Sequence, residues 1–143
     1  HLASTLSTHF DEKVYEPKDN TSARPDFSIL IYPVISMDES FTHMGSRRNL
    51  LGENPAAETL RHFSNELQIR ENTPPAFLVH SADDAAVPVR NSMAYYEGLV
   101  KFNIPSELHV FQKGGHGYGL AVNRETQSAW PRLCLEWLKA SGF

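Results

Sequence analysis

The stretch Ala76-Phe77-Leu78-Val79-His80-Ser81-Ala82-Asp83-Asp84-Ala85-Ala86-Val87-Pro88 reads as a short buried strand, a polar turn and the opening of a helix. Ala76 to Val79 is apolar, and with His80 the run has strand length. Pro88 suits a first helical turn, where its missing N–H has no intrahelical partner to lose. Downstream, Val89, Met93, Tyr96 and Val100 step by four, three and four, which predicts one buried helix face before Asn103 and Pro105 end the element. Glu107-Leu108-His109-Val110-Phe111 alternates polar and apolar residues and predicts a third strand, closed by the cluster Gly114-Gly115-His116-Gly117-Tyr118-Gly119. Trp130, Leu133, Cys134, Trp137 and Leu138 then recur at helical spacing and predict an amphipathic closing helix, with Pro131 in its first turn.

Upstream, Phe27-Ser28-Ile29-Leu30-Ile31-Tyr32-Pro33-Val34-Ile35 is β-branched and almost wholly apolar, as a strand buried on both faces would be. Leu2, Leu6 and Phe10 recur every four residues and place an apolar stripe on a helix running from residue 1 to about Tyr15. Pro17 to Ser22 is polar and turn-prone. Between 36 and 75 the periodicity weakens, and Gly45, Gly52, Pro55, Pro74 and Pro75 cut the chain into short helices and loops, an irregular excursion or lid-like insertion. The order helix, strand, excursion, strand, helix, strand, helix argues for an α/β class with a mostly parallel sheet flanked by helices, in one domain.

Composition narrows the function classes. The 143 residues are 41% apolar and 21% charged, with 13 Lys and Arg against 17 Asp and Glu, so the chain has the balance of a globular domain and no broad basic face. Neither nucleic acid nor a membrane is an expected partner. Cys134 is the only cysteine, which rules out an internal disulfide, and its place on an apolar stripe suits an inert buried thiol. Seven histidines invite a metal reading, yet no H-E-x-x-H or close His/Asp spacing occurs, so no metal is expected. Phosphate-cradling glycine motifs are missing too, and no cofactor is expected.

Ligands of open α/β sheets bind beyond the carboxyl ends of the strands. Two turns lie there, one holding Asp83 and Asp84, the other His116. A carboxylate and an imidazole on neighbouring turns can serve as orienter and general base for a nucleophile. The same residues also suit a plain glycine turn and a capping sequence ahead of Val87-Pro88.

The segment Phe77 to Pro88 resembles the catalytic-acid segment of α/β-hydrolases, and Lys113-Gly114-Gly115-His116-Gly117-Tyr118-Gly119-Leu120 resembles their catalytic-histidine loop. Within that superfamily the chain resembles the branch of small carbohydrate and acetyl-xylan esterases related to dienelactone hydrolases. Leu50-Leu51-Gly52-Glu53-Asn54-Pro55, Ser64-Asn65-Glu66-Leu67 and the ending Trp130 to Leu138 carry the likeness further. The resemblance implies Asp84 as the acid and His116 as the base. It departs at the nucleophile: no serine here has glycine at both i-2 and i+2, so the G-x-S-x-G elbow is missing. His1-Leu2-Ala3-Ser4 resembles the segment that follows the elbow, which implies a nucleophilic serine upstream of residue 1. Residues 1 to 143 are then the C-terminal part of one α/β-hydrolase domain, inactive by itself.

What the resemblance implies is a serine esterase acting on carboxylic esters, with acetylated xylan-type oligosaccharides as substrates. Val87 and Tyr118 flank the two turns and are expected to line the substrate pocket. A prolyl-oligopeptidase-like peptidase and a non-catalytic binding module built on the same fold are the alternatives; oligomeric state is left open.

Overall fold

A computed structural model of the chain describes residues 1–14, 16, 18–122 and 125–143. Helix α1 spans Leu2–His9, strand β1 Ser28–Ile31, α2 Met44–Leu51 and α3 Ala57–Phe63. A 3-10 turn at Asn65–Leu67 leads to β2 at Ala76–Ser81, α4 at Arg90–Lys101 and β3 at Ser106–Phe111. A second 3-10 turn, Thr126–Ala129, runs into α5 at Trp130–Ala140.

The strands form a parallel sheet in the order β1-β2-β3, with Ser28 opposite Ala76 and Ala76 opposite Ser106. Successive side chains of a strand point to opposite faces, and β2 uses both. Ala76 and Leu78 enter a cluster with Leu30, Ile35, Tyr95 and Leu99, so α4 covers one face of the sheet. Phe77 and Val79 enter the other cluster, with Tyr118, Trp130, Cys134 and Trp137, so α5 covers the opposite face. All six residues of β2 are buried. The expected α/β class and flanked parallel sheet describe this arrangement, and α5 buries Trp130, Cys134 and Trp137 as its spacing predicts.

Three expectations change in detail. The run at 27–35 makes only a four-residue strand, and Ile29 is 37% exposed rather than buried. Within the described residues β1 pairs on one side only, and Tyr32 turns to φ 42, which ends the extended run. Helix α1 stops at His9, and Tyr15 lies outside the described residues. Its buried face is Ser4, Ser7 and Thr8, whereas Leu2 and Leu6 face outward at 84% and 47% exposure. Those hydroxyls can be buried because each bonds back to a carbonyl three or four residues earlier: Ser4 to His1, Ser7 to Ala3 and Thr8 to Ser4.

Helix α4 shows the same inversion. It buries Asn91, Ser92, Tyr95 and Leu99, and leaves Met93 44% and Val100 51% exposed. The true stripe opens with two polar residues, each fully satisfied. Asn91 Oδ1 accepts from the backbone N–H groups of Ile35 and Ser36, and its Nδ2 donates to the Phe41 carbonyl. Ser92 Oγ pairs with His80. A hydropathy pattern cannot see such a face, because its first members are not apolar.

Residues 36–75 carry α2, α3 and the first 3-10 turn, without a strand. Asn65, fully buried, ties the segment to α1: its Nδ2 donates to Ser4 Oγ at 2.8 Å and Thr5 Oγ1 at 3.0 Å.

Candidate active site

Asp84 and His116 sit on the turns that follow β2 and β3, 32 residues apart in sequence and in contact in space. Parallel pairing explains this, because neighbouring parallel strands deliver their carboxyl ends to one edge of the sheet. His116 Nδ1 lies 2.8 Å from Asp84 Oδ2. The Asp84 side chain is fully buried, while that of His116 is 37% exposed. A carboxylate only accepts in this pairing, so Nδ1 carries the proton and Nε2 keeps its lone pair; the tautomer is assigned from the partners. Among the described residues Nε2 makes no hydrogen bond.

The two oxygens of Asp84 have separate work. Oδ1 accepts from the Ala86 N–H at 2.9 Å and the Val87 N–H at 2.8 Å, which shapes the turn. Oδ2 faces the imidazole. Burial alone would raise the carboxyl pKa, but the bonds from Val87, His116 and Ala86 outweigh it and hold Asp84 below the usual carboxylate range. Asp84 is therefore an anion throughout the neutral range.

The histidine loop is held on both sides. Asp83 Oδ1 accepts from the Gly115 N–H at 2.9 Å. Gly114 approaches so closely that a Cβ would lie 2.3 Å from Ser81 Oγ and 2.8 Å from Gln127 Nε2, and its φ of +153 disfavours any side chain. Further on, the Gly119 N–H donates to the Tyr32 hydroxyl, and Trp130 Nε1 donates to the Gly119 carbonyl.

Three residues that sequence reasoning passed over take part. His80 is fully buried beneath the carboxylate: its Nε2 lies 2.9 Å from the Val87 carbonyl and 3.2 Å from Asp84 Oδ2, and its Nδ1 lies 2.8 Å from Ser92 Oγ. A polar residue inside an apolar strand was the available signal. Tyr32, at the end of β1, packs its ring edge-on against His116 at 4.6 Å and against Tyr118 at 4.7 Å. Its positive φ is strain at the rim of the site, which no sequence pattern announces. Asp83 read as a mere neighbour of Asp84, yet it anchors the loop that carries His116.

Val87 and Tyr118, expected as pocket lining, are 2% and 7% exposed. Val87 acts through its backbone, donating to Asp84 and accepting from His80. Tyr118 lies in the cluster beneath α5, with its ring on Tyr32. In this chain both are packed against protein. Cys134 is buried, and burial pushes its thiol pKa up, which suits an unreactive group.

The fold also makes a histidine and carboxylate grouping that no sequence spacing announced. His9, Glu12 and His62 bring three ligand-type atoms within 4.8 Å of one another, although 53 residues separate the two histidines. His9 Nε2 faces the His62 carbonyl at 3.1 Å, so it donates there, and the group ties α1 to α3 by hydrogen bonding.

Burial lowers the pKa of His80, with the Val87 carbonyl and Asp84 opposing that shift. The folded state thus holds this imidazole neutral, while the unfolded chain takes up a proton below the ordinary value of 6.5. The unfolded state then binds more protons, so stability from this group is present above that pH and lost as pH falls below it. The thermal unfolding midpoint of wild type is expected to drop more steeply between pH 7 and pH 5 than that of His80→Gln. Parallel slopes in the two proteins would show that His80 does not carry the linkage.

The sequence profile of the prolyl oligopeptidase family matches residues 27–141. The chain belongs to that family. Among its relatives, endo-1,4-beta-xylanase B of Butyrivibrio fibrisolvens is 42% identical over 136 residues, 91% of this chain and 20% of the xylanase. An acetylxylan esterase of Xylanibacter ruminicola is 36% identical over 126 residues, 85% of this chain and 24% of the esterase. In fold, the chain superposes on the crystal structure of an acetyl ester-xyloside bifunctional hydrolase from Caldicellulosiruptor lactoaceticus with a TM-score of 0.93 and 42% identity. That alignment covers 100% of this chain and 53% of the other. The chain thus spans about half of that structure and a quarter or less of the two sequence relatives. Its three parallel strands and their helices are part of an α/β-hydrolase fold.

Proposed function

We propose that the protein carrying this chain is a serine esterase that removes acetyl groups from xylan-type oligosaccharides. The observation that carries the reading is the His116 Nδ1 to Asp84 Oδ2 hydrogen bond with Nε2 left open. Two relatives named for acetyl ester or acetylxylan hydrolysis, and a third named as a xylanase, support the substrate class. In this mechanism a serine upstream of residue 1 attacks the ester carbonyl while His116 Nε2 takes its hydroxyl proton. The same nitrogen returns that proton to the departing sugar oxygen, leaving an acyl-enzyme. Water then attacks the acyl carbon, with His116 again as base, and serine and acetic acid are released. Asp84 fixes the tautomer and stabilises the imidazolium.

The family match also supports a second reading, a serine peptidase using the same two residues. Intact-mass spectrometry of the full-length protein before and after a fluorophosphonate tests the shared machinery. One covalent adduct is expected. No adduct would remove both enzymatic readings and leave a binding module. With the adduct in hand, release of acetate from acetylated xylo-oligosaccharides but no cleavage of proline-containing peptide substrates is expected, and the reverse pattern would select the peptidase.

A further inference from the structure

Ala76, Leu78 and His80 share one face of β2, the face that α4 covers. Ala76 and Leu78 fill it with hydrocarbon, and the pattern calls for a third apolar side chain. His80 stands there instead, with no exposed surface. A buried imidazole costs stability that an aliphatic residue would not, in desolvation at any pH and in proton linkage as pH falls. Its contacts show what the imidazole does.

Both ring nitrogens are engaged. The Val87 carbonyl at 2.9 Å and Asp84 Oδ2 at 3.2 Å can only accept, so Nε2 carries the proton; it donates to the carbonyl and faces the carboxylate oxygen beside it. Nδ1 then accepts the Ser92 hydroxyl at 2.8 Å, from the first turn of α4. Val87 closes a circuit, because its N–H donates to Asp84 Oδ1 while its carbonyl receives His80. The circuit thus touches Asp84 at both oxygens. Oδ2, which faces His116 Nδ1 at 2.8 Å, has a second imidazole behind it.

The neutral form suits this place. Burial holds His80 uncharged near neutrality, so it offers Asp84 an N–H without a positive charge. A cation there would compete with the His116 imidazolium for one carboxylate. The titratable groups that act on the ring are Asp84, on the turn after its own strand, and His116, on the turn after β3. Tyr118, packed beneath α5, faces Asp84, and Tyr32, at the end of β1, faces His116. Helix α4 presents the Ser92 hydroxyl.

We propose that His80 is a positioning residue for the His116–Asp84 pair: its Nε2–H, held between the Val87 carbonyl and Asp84 Oδ2, keeps the carboxylate in the orientation that fixes the His116 tautomer. The effect on turnover rests on the esterase reading above. The effect on the His116–Asp84 hydrogen bond does not.

The test compares His80→Asn with His80→Gln in the full-length protein, with two readouts: steady-state hydrolysis of an acetyl ester, and the downfield proton resonance of the His116 Nδ1–H bonded to Asp84, assigned by its loss in His116→Ala. Gln carries an amide N–H to about the place of Nε2, whereas Asn reaches only to that of Nδ1. His80→Asn is expected to lower kcat about 10–100-fold with KM little changed, as loss of a hydrogen bond to a charged group and slight misplacement of a catalytic group do. The acid limb of its kcat/KM profile is expected to move to higher pH, because a carboxylate that has lost one donor pairs more tightly with the His116 imidazolium. Its downfield resonance is expected to shift, and His80→Gln to recover most of kcat and the wild-type resonance. Melting curves give the folded fraction. If His80→Asn does not fold, Ser92→Ala decides, since it keeps the imidazole and removes only the hydroxyl that holds it; a fall in kcat of about 2–10-fold with a moved resonance is expected. Wild-type kcat and an unmoved resonance in the folded variants, or equal losses in Asn and Gln, would overturn the positioning role. Fluorophosphonate labelling of the same wild-type sample separates the two proposals. An unlabelled protein whose resonance moves in His80→Asn and returns in His80→Gln loses the esterase and keeps the positioning role, and a labelled protein whose kcat and resonance ignore both substitutions does the opposite.

Discussion

His116→Ala in the full-length protein is expected to lower kcat for an acetyl ester by at least about 10⁴-fold while leaving the fold in place. Among the described residues of the two turns, His116 is the one group with an open nitrogen lone pair, and the Asp84 carboxylate behind it has no proton to exchange in the neutral range. On the proposed mechanism, with the imidazole gone, no group of the two turns is left to remove the serine proton or return it to the leaving oxygen. The side chain of His116 is 37% exposed and lies outside both core clusters, so truncation opens no sealed cavity. Steady-state rates and a melting curve on the same preparation check the result. A loss below about 10-fold would mean that another base does the chemistry.

Asp84→Asn is expected to reduce kcat by about 10³–10⁴-fold for a different reason. Asn keeps an oxygen that can accept from the Ala86 and Val87 N–H groups, so the turn retains its shape. The amide NH₂ then faces His116, and the imidazole must accept at Nδ1 and carry its proton on Nε2, where it cannot act as base. The stability cost is expected to be only about 1–2 kcal/mol near neutrality. Its pH dependence has a definite sign. The folded carboxyl sits below its ordinary value of 3.8, so the wild-type contribution is intact above that pH and is lost as pH falls through the depressed folded value. The variant lacks that acid-side loss. A variant that melts far below wild type while its folded fraction keeps full kcat would assign Asp84 a structural role alone.

Much of this site could be read before the structure, because it lies on the most regular part of the chain. The apolar run Ala76 to Val79 and the helix α4 bracket Asp84, although that helix opens at Arg90, two residues beyond Pro88, and the end of β3 with its glycines locates His116. What could not be read was set by contacts between distant residues. The buried faces of α1 and α4 begin with Ser4, Asn91 and Ser92, which look like surface residues until their partners at Asn65, Ile35 and His80 are in place. Tyr32 meets His116 across 84 positions only because β1 and β3 flank the same strand.

Asn91 gives the 36–75 segment a natural seam. One side chain clasps the chain at Ile35 and Ser36 where the segment leaves the sheet, and again at Phe41, while Asn65 clasps it to α1 on the far side. The stretch from 43 to 63 lies between these two amide clasps, contributes no strand, and meets the start of the chain again where His1 and His9 reach the Phe63 and His62 carbonyls. An engineer wishing to vary this segment therefore has a ready cassette: transplant 43–63 from a homologue, keep both asparagines with their partners, and the turns that carry Asp84 and His116 are left in place.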